Sequence, residues 1–112
     1  MMHKRGELLL VPFPFTDLSA TKRRPLLALT EPDDYGDFIA LPVTSRPQSE
    51  HGIPITQADL LRGSLPAPSW IRVDRVVTLN ASLIVKSIGE VVDRSVDEAV
   101  ERLCALLRNA RP

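Results

Sequence analysis

An apolar run at residues 8–11, with the sequence LLLV, stops at Pro12, and a second proline follows at Pro14. Because proline has no backbone N–H to give to a β-ladder, we predict a short strand that ends there. Three successive leucines lack the polar–apolar alternation of a strand with one solvated face. We therefore expect the strand to be buried on both faces, or covered on one side by a partner element. So short a run can neither span a membrane nor serve as a signal sequence.

The composition is that of an ordinary globular protein. With 112 residues, 44% of them apolar and 25% charged, we expect one domain over residues 1–112. The formal net charge is zero, so contact with nucleic acid would need locally concentrated positive charge. A single cysteine excludes an intramolecular disulfide and a cysteine-based metal site, and His3 and His51 lack ligand spacing. We expect a cytoplasmic protein that uses no metal or organic cofactor.

Short apolar segments separated by turn residues predict a mainly β body. The predicted strands are residues 7–11, 26–30, 38–43, 53–55, 69–79 and 83–92. We expect the segment with Pro54 to lie at a sheet edge, and Gly89 to form a bulge. Residues 16–23 are interpreted as a polar loop, and residues 57–68 as irregular with one helical turn at 58–61.

The end of the chain predicts an α-helix. Ser95 and Glu98 fit a capping box, in which the serine caps the first turn and the glutamate reaches back. The apolar residues that recur at helical spacing are Val96, Val100, Leu103 and Leu107. We expect this helix to pack on the β body. Cys104 on its flank is interpreted as a small core or half-buried residue and not as a nucleophile.

Three adjacent cations, Lys22, Arg23 and Arg24, precede Pro25 and an apolar segment. A cation cluster is commonly a solvated loop. Proline, however, holds the residue before it in an extended conformation. Arg24 is therefore expected to project from the rigid start of a strand.

Polar side chains also mark two other predicted strands. Thr44 and Ser45 follow one of them. Hydroxyl residues are common at strand ends, so this pair alone is weak evidence for a binding site. Arg72 and Asp74 are two residues apart on another strand, so they share a face and form either a surface ion pair or a shared ligand site. Trp70 lies on that same face. It is either a core aromatic or a platform on which a base stacks.

Five segments of the chain, in the order in which they occur, resemble the PemK/MazF toxins of bacterial type II toxin–antitoxin systems. The matching segments are GELLLVPFPFTD at 6–17, KRRPLLAL at 22–29, LPVTS at 41–45, IRVDR at 71–75 and SLIVKSIG at 82–89. The resemblance implies an SH3-like β-barrel with a C-terminal α-helix, a homodimer, and ribosome-independent cleavage of single-stranded RNA at short sequences. It also implies a cognate antitoxin that blocks the RNA groove, and operator DNA bound through the toxin–antitoxin complex.

The resemblance also assigns site residues. Those that match catalytic positions are Arg24, Thr44, Arg72 and Asp74. Those expected to contact RNA are Lys22, Arg23, Ser45, Arg46 and Trp70. Some family members place a histidine in the loop between the first two strands. Residues 16–23 contain none, so that contribution is absent or supplied otherwise.

These residue types suit metal-free RNA cleavage by the 2′-hydroxyl. That reaction needs a base, positive charge on the phosphate oxygens and a proton for the leaving oxygen. Asp74 is the candidate base, whereas Arg24 and Arg72 stay protonated and stabilise charge. Two alternatives remain. One is a non-catalytic toxin that inserts its helix into a protein such as gyrase, and the other is a degenerate member that binds nucleic acid as a repressor module.

Overall fold

The computed structural model describes residues 2–13 and 22–109. In these residues a mainly β body precedes a C-terminal α-helix, as predicted. The strands are β1 Glu7–Phe13, β2 Lys22–Ala28, β3 Asp37–Thr44, β4 Gly52–Ile55, β5 Leu60–Gly63, β6 Ser69–Arg72, β7 Val77–Asn80 and β8 Lys86–Val91. The helical elements are two 3-10 turns, Gln57–Asp59 and Ala81–Leu83, and helix α1, Asp93–Asn109.

The strands form one curled antiparallel sheet with the architecture of a small SH3-like barrel. Their order is β4-β6-β3-β2-β1-β8-β5, and β7 pairs with β3 next to β6. β3 is the longest strand within residues 2–13 and 22–109, and one of its edges pairs first with β7 and then with β6. The predicted fold class is confirmed, and so is the edge position of β4, the strand that contains Pro54.

β1 is buried on both faces, which was one of the two predictions for it. Leu8 lies in a first apolar cluster, together with Val96 of α1. Leu9 lies in a second cluster on the opposite face, together with Leu26 and Phe38. Both leucines are fully buried within this chain. The apolar sequence of β1 is thus explained without a second subunit.

The predicted ends of β1 and β2 were wrong. β1 continues through Pro12, which pairs with Arg23 on β2. Proline is tolerated there because β8 pairs with β1 only as far as Leu10, so Pro12 has no ladder bond to make on that edge. Lys22 and Arg23 consequently belong to β2 and not to a loop. Residues 16–21 of the predicted loop lie outside the described residues.

The single strand predicted for residues 69–79 was also wrong. The structure divides it into β6 and β7, with a turn between them. Ile71 pairs with Val43, and Val77 pairs with Ala40. Between these two pairs the segment advances by six residues, from 71 to 77, whereas β3 advances by only three, from 43 to 40. The three extra residues of the segment form the turn. β6 and β7 both pair with the same edge of β3. This explains why residues 69–79 alternate between apolar and polar side chains as a single strand would.

The last part of the sheet differs from the prediction in one strand. β5 lies within a segment that was interpreted as irregular, and it pairs with β8. The bulge at Gly89 is confirmed. Leu8 pairs with Gly89 and Leu9 pairs with Ser87, so one strand carries an extra residue.

The capping-box prediction for α1 was wrong, although the helix itself is confirmed. α1 begins at Asp93, and Ser95 is a buried residue of its first turn. The Val92 carbonyl accepts hydrogen bonds from the N–H groups of Ser95 and Val96, at 3.0 and 3.2 Å. Ser95 is therefore already helical and cannot serve as the N-cap.

The apolar stripe of α1 packs on the first cluster but ends early. Val96 and Ala99 are fully buried, whereas Leu107 is 66% exposed. Cys104 is half-buried, as predicted. Among the described residues, no helix combines the length and apolar character that crossing a membrane requires.

Candidate nucleic-acid interface

The predicted pair Arg24 and Thr44 lies where two neighbouring strands stop bonding to each other. The last pair of the β2–β3 ladder is Leu26 with Pro42. Pro25, the preceding residue of β2, has no N–H with which to extend the ladder. Arg24 and Thr44 each lie two residues beyond the last pair, and both are half-buried.

Three predicted site residues point to one face of the sheet. Arg24 shares a face with Leu26, which belongs to the second cluster. Thr44 points to the same side and pairs directly with Trp70, which in turn pairs with Pro54 on the edge strand. We call these four positions, Arg24, Thr44, Trp70 and Pro54, the cross-strand row. Along the paired strands β3, β6 and β4, the part of the row from Thr44 to Pro54 is about 10 Å long.

Arg72 shares the face of the row and is held by Asp74. Its Nε donates to Oδ1 of Asp74 at 3.3 Å, and its Nη2 donates to Oδ2 at 2.9 Å. Each side chain is 25% exposed. The predicted pairing is confirmed, but Asp74 reaches Arg72 from the turn after β6 and not from the same strand. A guanidinium uses this same two-bond geometry to bind a phosphate.

The loop after β3 turns back over the row. Thr44 Oγ1 accepts a hydrogen bond from the backbone N–H of Arg46 at 3.1 Å. A hydroxyl that accepts one bond keeps its own hydrogen to donate. Ser45 and Arg46 are exposed, so their side chains are accessible to a ligand at this end of β3. Gln48 Nε2 donates to the Arg46 carbonyl at 3.1 Å, which ties the amide to the loop.

Gln48 is a site residue that the sequence did not reveal. Gly52 pairs with Arg72. A Cβ on Gly52 would lie 3.3 Å from Cδ1 of Trp70 and would collide with Gln48. Gln48 therefore occupies the space over Gly52, beside the indole. Loop residues have no periodicity, and the glycine at position 52 was the one signal that a close approach occurs here.

Trp70 is not a core aromatic. It is half-buried, and among the described residues it is not one of the side chains that pack against either apolar cluster. The core interpretation is therefore wrong, and stacking of a base on Trp70 stays a prediction.

Charge is polarised along the β2–β3 pair. The cations at the end with the row, by chain position, are Lys22, Arg23, Arg24 and Arg46. The acids at the other end are Glu31, Asp33, Asp34 and Asp37. The two ends of β3 are about 23 Å apart. A chain with zero net charge thus carries cations at the end of the β2–β3 pair that bears the row, with Arg23 on the face opposite to Arg24.

The potential metal ligands that the structure describes do not assemble into a metal site. Across residues 2–13 and 22–109, no group of three or more histidine, cysteine or acidic side chains is arranged to hold a metal ion. His3 is buried with its ring edge against Phe38, and its Nε2 lies 3.0 Å from the Thr30 carbonyl oxygen. His51 lies 3.8 Å from Glu50 at the surface.

Glu7 organises a separate, structural network on β1. Its carboxylate accepts hydrogen bonds from the Lys4 N–H at 2.6 Å, the Ser87 hydroxyl at 2.8 Å and Arg62 Nη2 at 2.9 Å. Burial alone would raise the pKa of Glu7. The three donors and the charge of Arg62 outweigh burial and hold that pKa below its ordinary value of 4.5.

The family model for PemK-like, MazF-like toxins of type II toxin–antitoxin systems matches residues 4–107. That match spans nearly the whole chain and includes the cross-strand row. The chain belongs to the PemK/MazF toxin family. It is therefore a toxin of a type II toxin–antitoxin system, and the family resemblance noted in the sequence is confirmed.

Several solved structures share the PemK/MazF fold with this toxin. The MazE–MazF complex from Deinococcus radiodurans matches with a TM-score of 0.75 and 22% identity, over 96% of this chain and 97% of that one. An endoribonuclease in complex with its cognate antitoxin, from a mycobacterial species, matches with a TM-score of 0.70 and 18% identity, over 98% and 97%. The Mycobacterium tuberculosis toxin MazF-mt6 has a TM-score of 0.65 and 17% identity, over 94% and 99%. No curated protein sequence matches the chain.

Proposed function

We propose that this toxin is an endoribonuclease that cuts single-stranded RNA through the 2′-hydroxyl group. The observation that carries the proposal is the position of Arg24 and Thr44 at adjacent strand ends on one face. A guanidinium beside a hydroxyl can bind the non-bridging oxygens of one phosphate. Membership of the toxin family supports this function, and two solved structures of the same fold carry the name endoribonuclease.

The proposed reaction is an internal transesterification. The 2′-oxygen attacks the neighbouring phosphorus while its proton passes to a base. The bond from phosphorus to the 5′-oxygen breaks, and that oxygen takes up a proton from water. The products are a 2′,3′-cyclic phosphate and a free 5′-hydroxyl. Negative charge grows on the phosphate oxygens during attack, and a fixed cation stabilises it most at that point.

Each predicted residue has a role in this scheme. Arg24 stabilises the developing charge, and the Thr44 hydroxyl orients the phosphate. Asp74 is the candidate base, since each of its oxygens accepts one bond from Arg72 and retains a lone pair for the 2′-hydroxyl proton. Arg72 holds that carboxylate in place and adds positive charge.

The remaining predicted residues would guide the RNA strand. The group consists of Lys22, Arg23, Ser45, Arg46 and Trp70. It includes the cations of the positive end of the β2–β3 pair and the aromatic of the row. Cations attract the phosphates regardless of sequence, and an aromatic ring can stack with any base.

We also propose three partners: a second copy of the chain, a cognate antitoxin, and operator DNA bound through the toxin–antitoxin complex. Ile39 and Val76 supply apolar surface outside the two clusters, at 40% and 47% exposed, which a second copy could cover. An antitoxin that carries acidic residues would complement the positive end of the β2–β3 pair and cover the row.

The test is digestion of a long single-stranded RNA by the purified toxin in the presence of a chelator. We expect cuts at one short recurring sequence, and loss of the cuts with Thr44→Ala. RNA that stays intact with the wild-type toxin would contradict the proposal and favour a non-catalytic toxin.

A further inference from the structure

We infer that Trp70 and Gln48 together form a nucleobase pocket that sets the sequence preference of the toxin. The inference deepens the proposed function and rests on it for the position of the RNA. Trp70 lies one strand away from Thr44 in the cross-strand row. A nucleotide whose phosphate is held by Arg24 and Thr44 would therefore have an indole within reach of an adjacent base.

Trp70 has the surroundings of a binding platform. It is half-buried and lies outside both apolar clusters of the described chain, so its ring is not needed to fill the core. Thr44 flanks it on one side of β6 and Pro54 on the other. Pro54 is a rigid, apolar neighbour of Trp70 on the edge strand. Stacking on such a ring favours all bases and provides affinity without sequence preference.

The face of the indole ring cannot distinguish one base from another by hydrogen bonds. The side-chain amide of Gln48 can, because it has both hydrogen-bond donors and an acceptor. One N–H of its amide is used by the Arg46 carbonyl, which fixes the amide plane. Its second N–H and its oxygen have no partner within residues 2–13 and 22–109. An amide with one donor and one acceptor can read the edge of an unpaired base.

The glycine at position 52 makes the pairing of Gln48 with Trp70 possible. Any larger residue there would drive its Cβ into Gln48 and against Cδ1 of Trp70. Trp70 thus contributes affinity for one base next to the cut phosphate, and Gln48 contributes discrimination at that same position.

The first test uses fluorescence, because Trp70 is the only tryptophan in the chain. The probe is a randomised pool of 2′-fluoro oligonucleotides, which lack the hydroxyl that attacks in cleavage. We expect the pool to quench the tryptophan emission in proportion to binding measured by anisotropy of an end label. Binding without any change in emission would overturn the pocket, and so would the absence of any binding.

The second test reads sequence preference without relying on catalysis. Oligonucleotides retained from the same pool are sequenced for the wild type, Gln48→Ala and Ser49→Ala, the last being an exposed control in the same loop. We expect Gln48→Ala to lose its base preference at one position and Ser49→Ala to keep the wild-type profile. A Gln48→Ala profile identical to the wild type would overturn the role of Gln48.

The platform is tested by Trp70→Ala and Trp70→Phe. We expect Trp70→Ala to weaken binding of the pool by about 5- to 150-fold, and Trp70→Phe, which keeps a ring, to retain most of the affinity. Equal loss in both variants would contradict stacking. If the pool quenches Trp70 but the toxin cuts no RNA, the proposed function fails and the pocket stands. If the toxin cuts RNA while Gln48→Ala and Trp70→Ala keep wild-type preference and affinity, the pocket fails and the function stands.

Discussion

Arg72 and Asp74 are joined by two hydrogen bonds, at 3.3 and 2.9 Å, across the turn that ends β6. The pair places a carboxylate where the guanidinium would otherwise hold a phosphate. Asp74 is thus either a base that Arg72 keeps in position or only a structural partner of Arg72. In the second case its negative charge merely opposes the approach of RNA. The two roles differ in their effects on cleavage and on binding.

Asp74→Asn separates these roles because it keeps the shape and removes the proton acceptor. If Asp74 is the base, cleavage should fall by about 10²–10⁴-fold, while RNA affinity holds or rises because a negative charge is removed. Single-turnover cleavage and equilibrium binding measure the two effects. Unchanged turnover, with a loss of at most about 1 kcal/mol in the free energy of unfolding, would make Asp74 a structural partner and place the base elsewhere.

Arg24→Ala should reduce RNA cleavage by about 10²–10³-fold or more and abolish growth inhibition, because it removes the cation nearest to the proposed phosphate site. The fold should persist, since the core packing of β2 comes from its apolar residues Leu26, Leu27 and Ala28. Circular dichroism checks the fold. Arg108→Ala on α1 removes an equal charge from another surface and serves as the control. A purified Arg24→Ala protein that cuts RNA at the wild-type rate would show that the site is assigned wrongly.

Acid stability should depend on Glu7. Its pKa is lower in the folded chain than in the unfolded chain, so it stabilises the fold above the unfolded pKa, and that contribution disappears as pH falls below about 4.5. Glu7→Gln should lower the free energy of unfolding at neutral pH by about 1–3 kcal/mol and flatten its decline in acid. Denaturant titrations from pH 7 to pH 3 measure this, with the exposed Glu101→Gln as control. A variant as acid-sensitive as the wild type would contradict this role.

Assembly is a separate prediction. We expect a two-fold dimer, with exposed apolar residues such as Val76 at or near its interface. Val76→Asp should then shift the sedimentation coefficient toward that of a monomer, because it places a charge in an apolar contact. A wild-type protein that sediments as a stable monomer at micromolar concentration would rule the dimer out.

The sequence predicted the parts of this fold that depend on local patterns. The leucines of β1, the bulge at Gly89 and the apolar stripe of α1 as far as Leu103 are local features, and the structure confirms them. The ends of β1 and β2 were missed because they depend on which strand edges are paired. Pro12 stops a strand only where that edge needs a hydrogen bond, and β8 ends before it.

In the candidate site, too, the sequence predicted individual residues but not their arrangement in space. Arg24, Thr44 and Trp70 were chosen from the sequence, but their common face follows from the pairing of β2, β3 and β6, which no spacing along the chain reveals. The turn at Asp74 was missed because both strands around it run along β3. Gln48 was missed because its position depends on the missing side chain at Gly52.

The most direct measurement of the central claim is the chemistry of the cut ends. An oligoribonucleotide that contains the cleaved sequence is compared with the same oligomer carrying one 2′-deoxy sugar at the cut position, and the products are identified by mass spectrometry. We predict a 2′,3′-cyclic phosphate and a 5′-hydroxyl from the first oligomer and no cut at that position in the second. Cleavage of the deoxy-substituted oligomer at the same position would contradict a reaction driven by the 2′-hydroxyl beside Arg24 and Thr44.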